Sequence, residues 1–294
     1  SKIKQLTPFL SFIPKWDSSS FKEMLPYCMN IFSFSLFQFS FYNLRPVFLG
    51  IQGTIESVAD FRILNGIIGV VTMLGGAFTG ILLPSSSKAV ANHNKEAYYR
   101  MAYDGTKYIS ILCCFCCFGM MSVGAEVLTM YVGESYLYLI PWFNLWLLCT
   151  LGTHNQAISS LILAGNDIRA ISYSSIVASI VGLLVAWFSI PYYNIGGVCI
   201  AVAVYMLIQI GFYYLYYWPK KMEISSTKVF FKSFIPFVSI GILSYLFVDN
   251  VIISISNTFY RFFLRGVCFA LMFALLTYFS LNKADKQFFR NIKK

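Results

Sequence analysis

The chain has 294 residues, of which 58% are hydrophobic and 12% are charged, and its formal net charge is +10. An ordinary soluble domain carries about 25% charged residues, so this composition excludes a water-facing shell of normal polarity and favours a protein surrounded by lipid. The basic excess does not call for a nucleic-acid partner, because lysines and arginines beside membrane-spanning segments are attracted to anionic lipid headgroups.

Long apolar stretches recur along the chain and predict an all-α fold, a polytopic bundle of about eight transmembrane helices. A helix of about 20 apolar residues crosses the roughly 30 Å of hydrocarbon in a bilayer. The predicted spans lie at residues 24–48, 61–83, 105–124, 136–163, 170–190, 195–217, 233–252 and 261–281.

These spans divide the chain into three parts. Residues 1–22 form a basic cytoplasmic connector, and residues 23–217 form a six-helix transmembrane bundle. Residues 218–294 contain a cytoplasmic loop, two extra transmembrane helices and a basic tail. The connector lacks the charged, apolar and cleavage regions of a signal peptide. We therefore expect the chain to be the carboxy-terminal part of a longer membrane protein, or to have lost its start.

The distribution of basic residues predicts which side of the membrane each loop faces. Lysine and arginine accumulate in cytoplasmic loops, and nearly all of the 22 here fall in the termini and in every second gap between spans. Both termini are therefore predicted to be cytoplasmic. The charged residues at or near the opposite side are Arg45, Arg62, Arg261 and Arg265 with Glu56, Glu126, Glu134 and Asp249.

Familiar signatures of catalysis, nucleotide binding and metal binding are missing from the sequence. It contains no GxxxxGK[ST], HExxH, GxSxG or DxD pattern, so no catalytic residue, cofactor or metal ligand is assigned and the chain is not expected to be an enzyme. The CCFCC run at 113–117 lies inside a predicted span, where small apolar packing is the simplest interpretation. Only two histidines are present, His93 and His154.

The first predicted span carries a polar face. Ser35, Gln38, Tyr42 and Arg45 follow one another at steps of three, four and three residues, which places them on one side of a helix. An ionisable residue costs about 2.5 to 3.5 kcal/mol within a bilayer and marks a functional candidate, so this face is predicted to line an aqueous cavity. Two alternatives stay open: Arg45 reaches the outer headgroups, or it pairs with Asp60 across the hairpin.

The fourth predicted span holds a second set of polar side chains. Polar residues between helices in lipid commonly form interhelical hydrogen bonds, and this structural interpretation is favoured over a binding role. The set consists of Asn144, Thr150, Thr153, His154, Asn155, Gln156, Ser159 and Ser160.

Five strings stand in a distinctive order and spacing. They are YNLRPVFLG at 42–50 with DFRI at 60–63, GAFTGILLPSSSKAVANHNKEAYYR at 76–100, VLTMYVGESYLYLIPWFNLW at 127–146, LILAGNDIRAISYSS at 161–175 and IPYYNIGGVCIAVAV at 190–204. From about residue 25 to 217 the chain resembles the second six-helix half of the polysaccharide (O-antigen type) flippases of the multidrug/oligosaccharidyl-lipid/polysaccharide exporter superfamily. The last two spans resemble the extra pair at the carboxy end of that family, whose first six helices have no counterpart in this chain.

The resemblance implies transport of an undecaprenyl-pyrophosphate-linked oligosaccharide from the inner to the outer leaflet of the bacterial cytoplasmic (inner) membrane, for surface polysaccharide synthesis. Its partners would be this substrate and membrane lipids, with a polysaccharide polymerase and glycosyltransferases as further candidates. A guanidinium stays charged and binds phosphate bidentately, so Arg45 is the candidate phosphate ligand. Gln38, Tyr42 and Asn43 are candidate sugar contacts, and Asp60 and Arg62 are candidate charge partners or coupling residues.

Three other functions are alternatives to this one. A multidrug cation antiporter of the same superfamily would favour acidic residues deep in the membrane, which are scarce here. An integral-membrane glycosyltransferase, polymerase or acyltransferase would need a sizeable outer loop or a catalytic acid or base at the bilayer surface, and the predicted outer loops are short. A structural subunit without transport activity is the last alternative.

Overall fold

The computed structural model describes residues 17–91, 95–165, 167–251, 257–282 and 285. These residues are almost entirely helical, and no β-strand occurs among them, so the predicted all-α class is confirmed. Most of the predicted connector at 1–22 and most of the basic tail lie outside the described residues.

Twelve α-helices, some joined directly by 3₁₀ or π turns, make up the described part of the chain. They are α1 Ser18–Gln52, α2 Ile55–Ala91, α3 Lys95–Arg100, α4 Thr106–Ser122, α5 Gly124–Tyr131, α6 Ile140–Thr150, α7 Gln156–Ala164, α8 Ile168–Tyr193, α9 Ile195–Gly211, α10 Ser226–Val229, α11 Ile235–Val251 and α12 Thr258–Ser280. The π segments are Met101–Gly105, Phe212–Lys221 and Phe230–Phe234, and the 3₁₀ segments are Glu134–Leu139 and Leu151–Asn155.

Several of these helices are suited to a membrane. Within the described residues, five helical stretches are long and apolar enough to cross one, and each coincides with a predicted span. They are Tyr98–Ser122, Ile168–Tyr193, Ile195–Lys221, Ser226–Asn250 and Thr258–Ser280. Helices α1 and α2, with 35 and 37 residues, cover the predicted spans at 24–48 and 61–83 but are not among the five. The protein is a multi-pass membrane protein, and the count of eight spans stays a prediction.

The span predicted at 136–163 is not one continuous α-helix, because a 3₁₀ turn separates α6 from α7. In that turn Thr153 Oγ1 donates to the Thr150 carbonyl oxygen at 2.7 Å, and the His154 ring nitrogen Nδ1 lies 2.6 Å from the Leu151 carbonyl oxygen. Side chains that bond to carbonyls three residues earlier compete with the α-helical pattern and tighten the backbone locally. The polar residues of this span therefore sit at a break in the helix.

Helix α8 packs along α9 and along α1. Gly182 permits the close approach of α1, because a Cβ atom there would lie 2.6 Å from the ring of Phe41. The turn from α8 to α9 consists of Asn194, whose φ of 49° is tolerated by asparagine more readily than by most residues. Helix α2 packs against α7, and α6 packs against α9.

The last two long helices form a separate layer on the six-helix part. Helix α11 packs against α4 and α12, and α12 also contacts α4 and α5. Gly241 of α11 faces Phe118 of α4 so closely that an added Cβ would lie 2.1 Å from its ring. This close fit fixes the extra pair beside the cysteine run, whose Cys117 Sγ contacts the Leu147 carbonyl oxygen of α6 at 3.2 Å.

A charge cluster lies at the start of α4. Lys107 Nζ lies 2.7 Å from Asp285 Oδ1 and 3.1 Å from Asp104 Oδ1, and the Tyr108 hydroxyl donates to Asp285 at 3.0 Å. Burial acts to raise the pKa of Asp285, but the hydrogen bonds from Lys107 and Tyr108 outweigh it and the net shift is downward. The cluster attaches the segment after α12 to α4.

A second charge cluster lies beyond the other end of α4. The buried carboxylate of Glu126 in α5 is 2.9 Å from Arg261 Nε and 3.4 Å from Arg265 of α12, and Arg265 also pairs with Asp249 of α11. All four residues were predicted to lie on the same side of the membrane. The two clusters lie at opposite ends of α4, as expected from the sequence pattern, which assigns them to opposite sides of the membrane. Which of the two sides is cytoplasmic stays a prediction.

Candidate substrate cavity

A cavity of about 470 Å³ opens between α1, the break that separates α6 from α7, and the pair α8 and α9. Pockets that bind small organic ligands usually measure about 300 to 1,000 Å³. Every polar side chain among its described lining residues is uncharged. These polar residues are Ser35, Gln38, Tyr42, Thr72, Thr153, Asn155, Gln156, Ser159, Ser175, Tyr205, Gln209 and Tyr213.

Helix α1 supplies one wall of the cavity through the polar face that the sequence predicts. Ser35, Gln38 and Tyr42 all line it, at successive turns of the helix. Tyr42 is 44% exposed as a residue and contributes to the cavity lining. The helical spacing of the sequence therefore identifies three lining residues of this wall.

The break before α7 supplies the opposite wall. Thr153, Asn155, Gln156 and Ser159 lie here, although the sequence favoured a purely structural role for them. Asn155 is 5% exposed, and its Oδ1 atom has no hydrogen-bond partner among the described residues. A buried acceptor without a partner is costly, and because Oδ1 is itself buried, a ligand in the cavity reaches it only after the Asn155 side chain rotates.

The third wall comes from α8 and α9 and was missed by the sequence interpretation. Gln209 Nε2 donates to Ser175 Oγ at 2.9 Å, which joins the two helices beside the cavity. Tyr205, one turn before Gln209, is held by stacking on Phe41 with ring centroids 4.3 Å apart. The available signal was a single amide in the otherwise apolar helix α9.

Arg45 does not line this cavity, although it shares the helical face of Tyr42. It is 1% exposed, and its guanidinium carbon lies 4.7 Å from the ring centroid of Phe41, 5.0 Å from Tyr42, 5.5 Å from Trp146 and 5.9 Å from Phe61. The guanidinium is thus enclosed by aromatic rings that can hold a cation through their faces. One of them, Tyr42, also lines the cavity.

The hydrogen bonds of Arg45 leave part of its guanidinium without a partner. Nε donates to the Phe41 carbonyl oxygen of its own helix at 3.0 Å, whereas NH1 is buried without a hydrogen bond to any described residue. Among the described residues Arg45 has no ion pair. Asp60 instead accepts a hydrogen bond from the Tyr138 hydroxyl at 2.7 Å. The alternative Arg45–Asp60 ion pair does not occur among the described contacts.

The other predicted site residues lie away from the cavity lining. Asn43 is exposed, and its Nδ2 donates to the Phe39 carbonyl oxygen of its own helix at 2.8 Å. Asp60 is buried next to Tyr138, and Arg62 is exposed on α2. The proposed roles of Asn43, Asp60 and Arg62 stay predictions.

His154 has a structural environment. Its ring is fully buried and stacks on Phe234 at 3.9 Å between centroids, while Nε2 lies 2.9 Å from the Tyr214 hydroxyl. With Nδ1 beside the Leu151 carbonyl oxygen, both ring nitrogens have partners. No group of three or more histidine, cysteine, aspartate and glutamate residues suited to a metal ion occurs within the described part of the chain.

The fold and the cavity define a multi-pass helical membrane protein with a neutral polar pocket inside its bundle. Residues 6–141 match the model of a family described as "Polysaccharide biosynthesis protein". This match covers slightly less than half of the chain, and it agrees with the resemblance to polysaccharide-synthesis proteins found in the sequence. No curated protein and no solved structure matches the chain.

Proposed function

We propose that the protein translocates a lipid-linked oligosaccharide across the cytoplasmic membrane without changing its covalent structure. The observation that carries this proposal is the cavity between α1, α8 and α9, which offers uncharged hydrogen-bonding groups within an apolar helical bundle. Sugar hydroxyls are costly to place in hydrocarbon unless they are hydrogen-bonded. A polar cavity inside the bundle lowers that cost along a transport path.

The pyrophosphate of such a substrate sets a second requirement, because an ionised phosphate does not cross hydrocarbon unaided. Arg45 lies three residues after Tyr42 of the cavity wall, and its guanidinium packs on the ring of Tyr42. In the proposed mechanism Gln38 and Tyr42 contact sugar, and Arg45 contacts phosphate after the helices shift. Rocking of helical bundles around a bound substrate is an established way to alternate access.

The test is reconstitution of the complete gene product in liposomes with a fluorescent undecaprenyl-pyrophosphate-linked oligosaccharide. A membrane-impermeant quencher measures transfer between leaflets, and mass spectrometry of the recovered lipid measures covalent change. The proposal expects transfer with an unchanged substrate mass. Absence of transfer would refute it, and a new glycosidic or acyl bond would favour the enzyme alternative.

A pair of variants links the transfer rate to the cavity. Gln38→Ala removes a hydrogen-bonding group from the lining and is expected to slow transfer by about 2- to 10-fold, the effect of losing one hydrogen bond. Asn250→Ala is the matched control, because this amide is exposed on α11 and donates to the Leu246 carbonyl oxygen of its own helix. Equal transfer rates for the two variants would show that the Gln38 side chain of the cavity wall does not contribute to transport.

A further inference from the structure

We propose that this cavity recognises an uncharged oligosaccharide rich in hydroxyl or acetamido groups, rather than one that carries uronic or other acidic sugars. The inference rests on the proposed function and specifies its substrate class. Its basis is the composition of the cavity wall, in which all twelve polar residues among the described lining are neutral.

The unpartnered oxygen of Asn155 is an acceptor that a bound ligand would satisfy once this side chain rotates toward the cavity. Only 5% of Asn155 is exposed, and no described residue donates a hydrogen bond to its Oδ1 atom. Asn155 is the last residue of the 3₁₀ turn and directly precedes α7. A sugar hydroxyl or an acetamido N–H would satisfy this acceptor, whereas a carboxylate, which only accepts, would be repelled by it.

Neutral groups on the other walls fit the same chemistry. The cavity lining also includes the hydrogen-bonded pair of Gln209 and Ser175 and the pair of Ser159 and Tyr213, whose hydroxyl oxygens lie 3.1 Å apart. Amide and hydroxyl groups both donate and accept, as do sugar hydroxyls. An anionic sugar would lose its hydration here without gaining a cation from the described lining, and such desolvation is costly.

Aromatic rings complete the recognition surface. Tyr42 and Tyr205 both line the cavity with ring centroids 6.5 Å apart, and Tyr205 is held in place by Phe41. Tyr205 is only 3% exposed and stacks on Phe41, whereas Tyr42 is 44% exposed. The Tyr42 ring, which combines an apolar face with a polar hydroxyl, is therefore the aromatic surface available to the C–H face of a sugar. This combination of rings and amides fits an uncharged sugar better than a phosphate or a carboxylate.

The binding experiment uses soluble tetrasaccharides and the complete gene product in lipid nanodiscs. Maltotetraose, cellotetraose and chitotetraose are the neutral probes, and hyaluronan tetrasaccharide, which alternates glucuronic acid with an acetamido sugar, is the acidic probe. At least one neutral probe is expected to bind more tightly than hyaluronan tetrasaccharide. Asn155→Ala is expected to weaken that binding by about 2- to 10-fold, whereas Asn250→Ala leaves it unchanged.

A charge-adding variant tests the cause of the preference. Gln38→Lys places a cation in the cavity wall and is expected to strengthen binding of hyaluronan tetrasaccharide relative to the neutral probes. Three results would contradict the inference. The first is that the unaltered protein binds no probe at all, and the second is that it binds the acidic probe at least as tightly as every neutral one. The third such result is an Asn155→Ala variant that binds the neutral probe as tightly as Asn250→Ala does. Translocation of the lipid-linked substrate in liposomes is measured separately, so failure of this inference leaves the proposed function standing, and failure of translocation does not alter the binding result.

Discussion

Replacing Arg45 by methionine distinguishes a structural role of the buried guanidinium from a functional one. The side chain is 1% exposed, it lies within 6 Å of four aromatic rings, and its NH1 atom has no hydrogen-bond partner among the described residues. We expect Arg45→Met to leave the stability of the protein nearly unchanged while polysaccharide export falls.

The expected stability change follows from opposing contributions of similar size. One guanidinium shared among four rings gains about 3 kcal/mol, given about 0.5 to 2 kcal/mol for a single cation–π contact, and the hydrogen bond to the Phe41 carbonyl adds about 1 kcal/mol. Burial of the arginine in the bilayer costs about 3 kcal/mol, and the unpartnered NH1 costs about 2 kcal/mol. Because these contributions nearly cancel, an uncharged side chain of similar length should change the free energy of unfolding by at most about 1 kcal/mol.

The assay compares the melting temperature of the purified protein in detergent with surface polysaccharide in cells that carry the same variant. A change of about 1 kcal/mol corresponds to a shift of at most about 4 °C. Arg169→Met is the matched control, because Arg169 is exposed at the start of α8 and outside the cavity lining. Destabilisation by more than about 2 kcal/mol would show that Arg45 mainly holds the aromatic rings together, and normal export at normal protein level would remove Arg45 from the transport mechanism.

Three further predictions concern packing and charge. Gly182→Ala should destabilise the protein by about 1 to 3 kcal/mol in a thermal melt, because the added Cβ would meet the Phe41 ring at 2.6 Å. Glu126→Gln should lower stability by about 3 kcal/mol, because it leaves two arginines without their buried carboxylate. The pKa of Asp285 is lowered in the folded protein, so its ionised carboxylate, paired with Lys107, should stabilise the fold above the ordinary aspartate pKa of about 3.9. This contribution should be lost as the pH falls through the lowered pKa, which melting temperatures recorded against pH would measure.

Each of these predictions has a matched control. Gly211→Ala adds a Cβ where no atom lies within 4 Å, so it should not destabilise through overpacking. Glu134→Gln removes a carboxylate that is exposed, and a loss as large as that of Glu126→Gln would contradict the role of the buried cluster. Asp285→Asn should abolish the acid-dependent part of the melting profile, and an unchanged profile would show that other groups cause it.

The cavity wall on α1 is predictable from the sequence because its residues belong to one helix, in which side chains three or four positions apart share a face. Ser35, Gln38 and Tyr42 line the cavity as the three-and-four spacing requires, but spacing alone does not show where the cavity ends, and Arg45 lies one turn beyond it among aromatic rings. Two of those rings belong to α1 itself, one comes from the next helix, α2, and one comes from α6, about 100 residues further along the chain. Their packing around one guanidinium is a tertiary event that the periodicity of α1 does not encode.

The parts that the sequence missed have a common physical origin. The break before α7 arises from side-chain hydrogen bonds to the backbone, and it converts residues assigned to interhelical bonding into cavity lining, Asn155 among them. The wall on α8 and α9 depends on Gln209 and Ser175, two residues whose hydrogen bond requires the packing of one helix on the other. A polar residue in an apolar span has the same sequence signal whether it bonds to a neighbouring helix or faces a cavity.

The separation of the neutral cavity from the buried cation has a mechanistic consequence. Tyr42 contributes to both, since it lines the cavity and also packs on the Arg45 guanidinium at 5.0 Å. Contact between Arg45 and a phosphate therefore requires a rearrangement around Tyr42, and until then the aromatic rings hold the charge away from the sugar site. Binding energy from sugar contacts at Gln38 and Asn155 can offset the cost of that rearrangement, because a ligand shifts a conformational equilibrium only through its differential affinity for the two states. In this mechanism an uncharged sugar is held first and the phosphate second, which agrees with a cavity whose described lining contains no charged side chain.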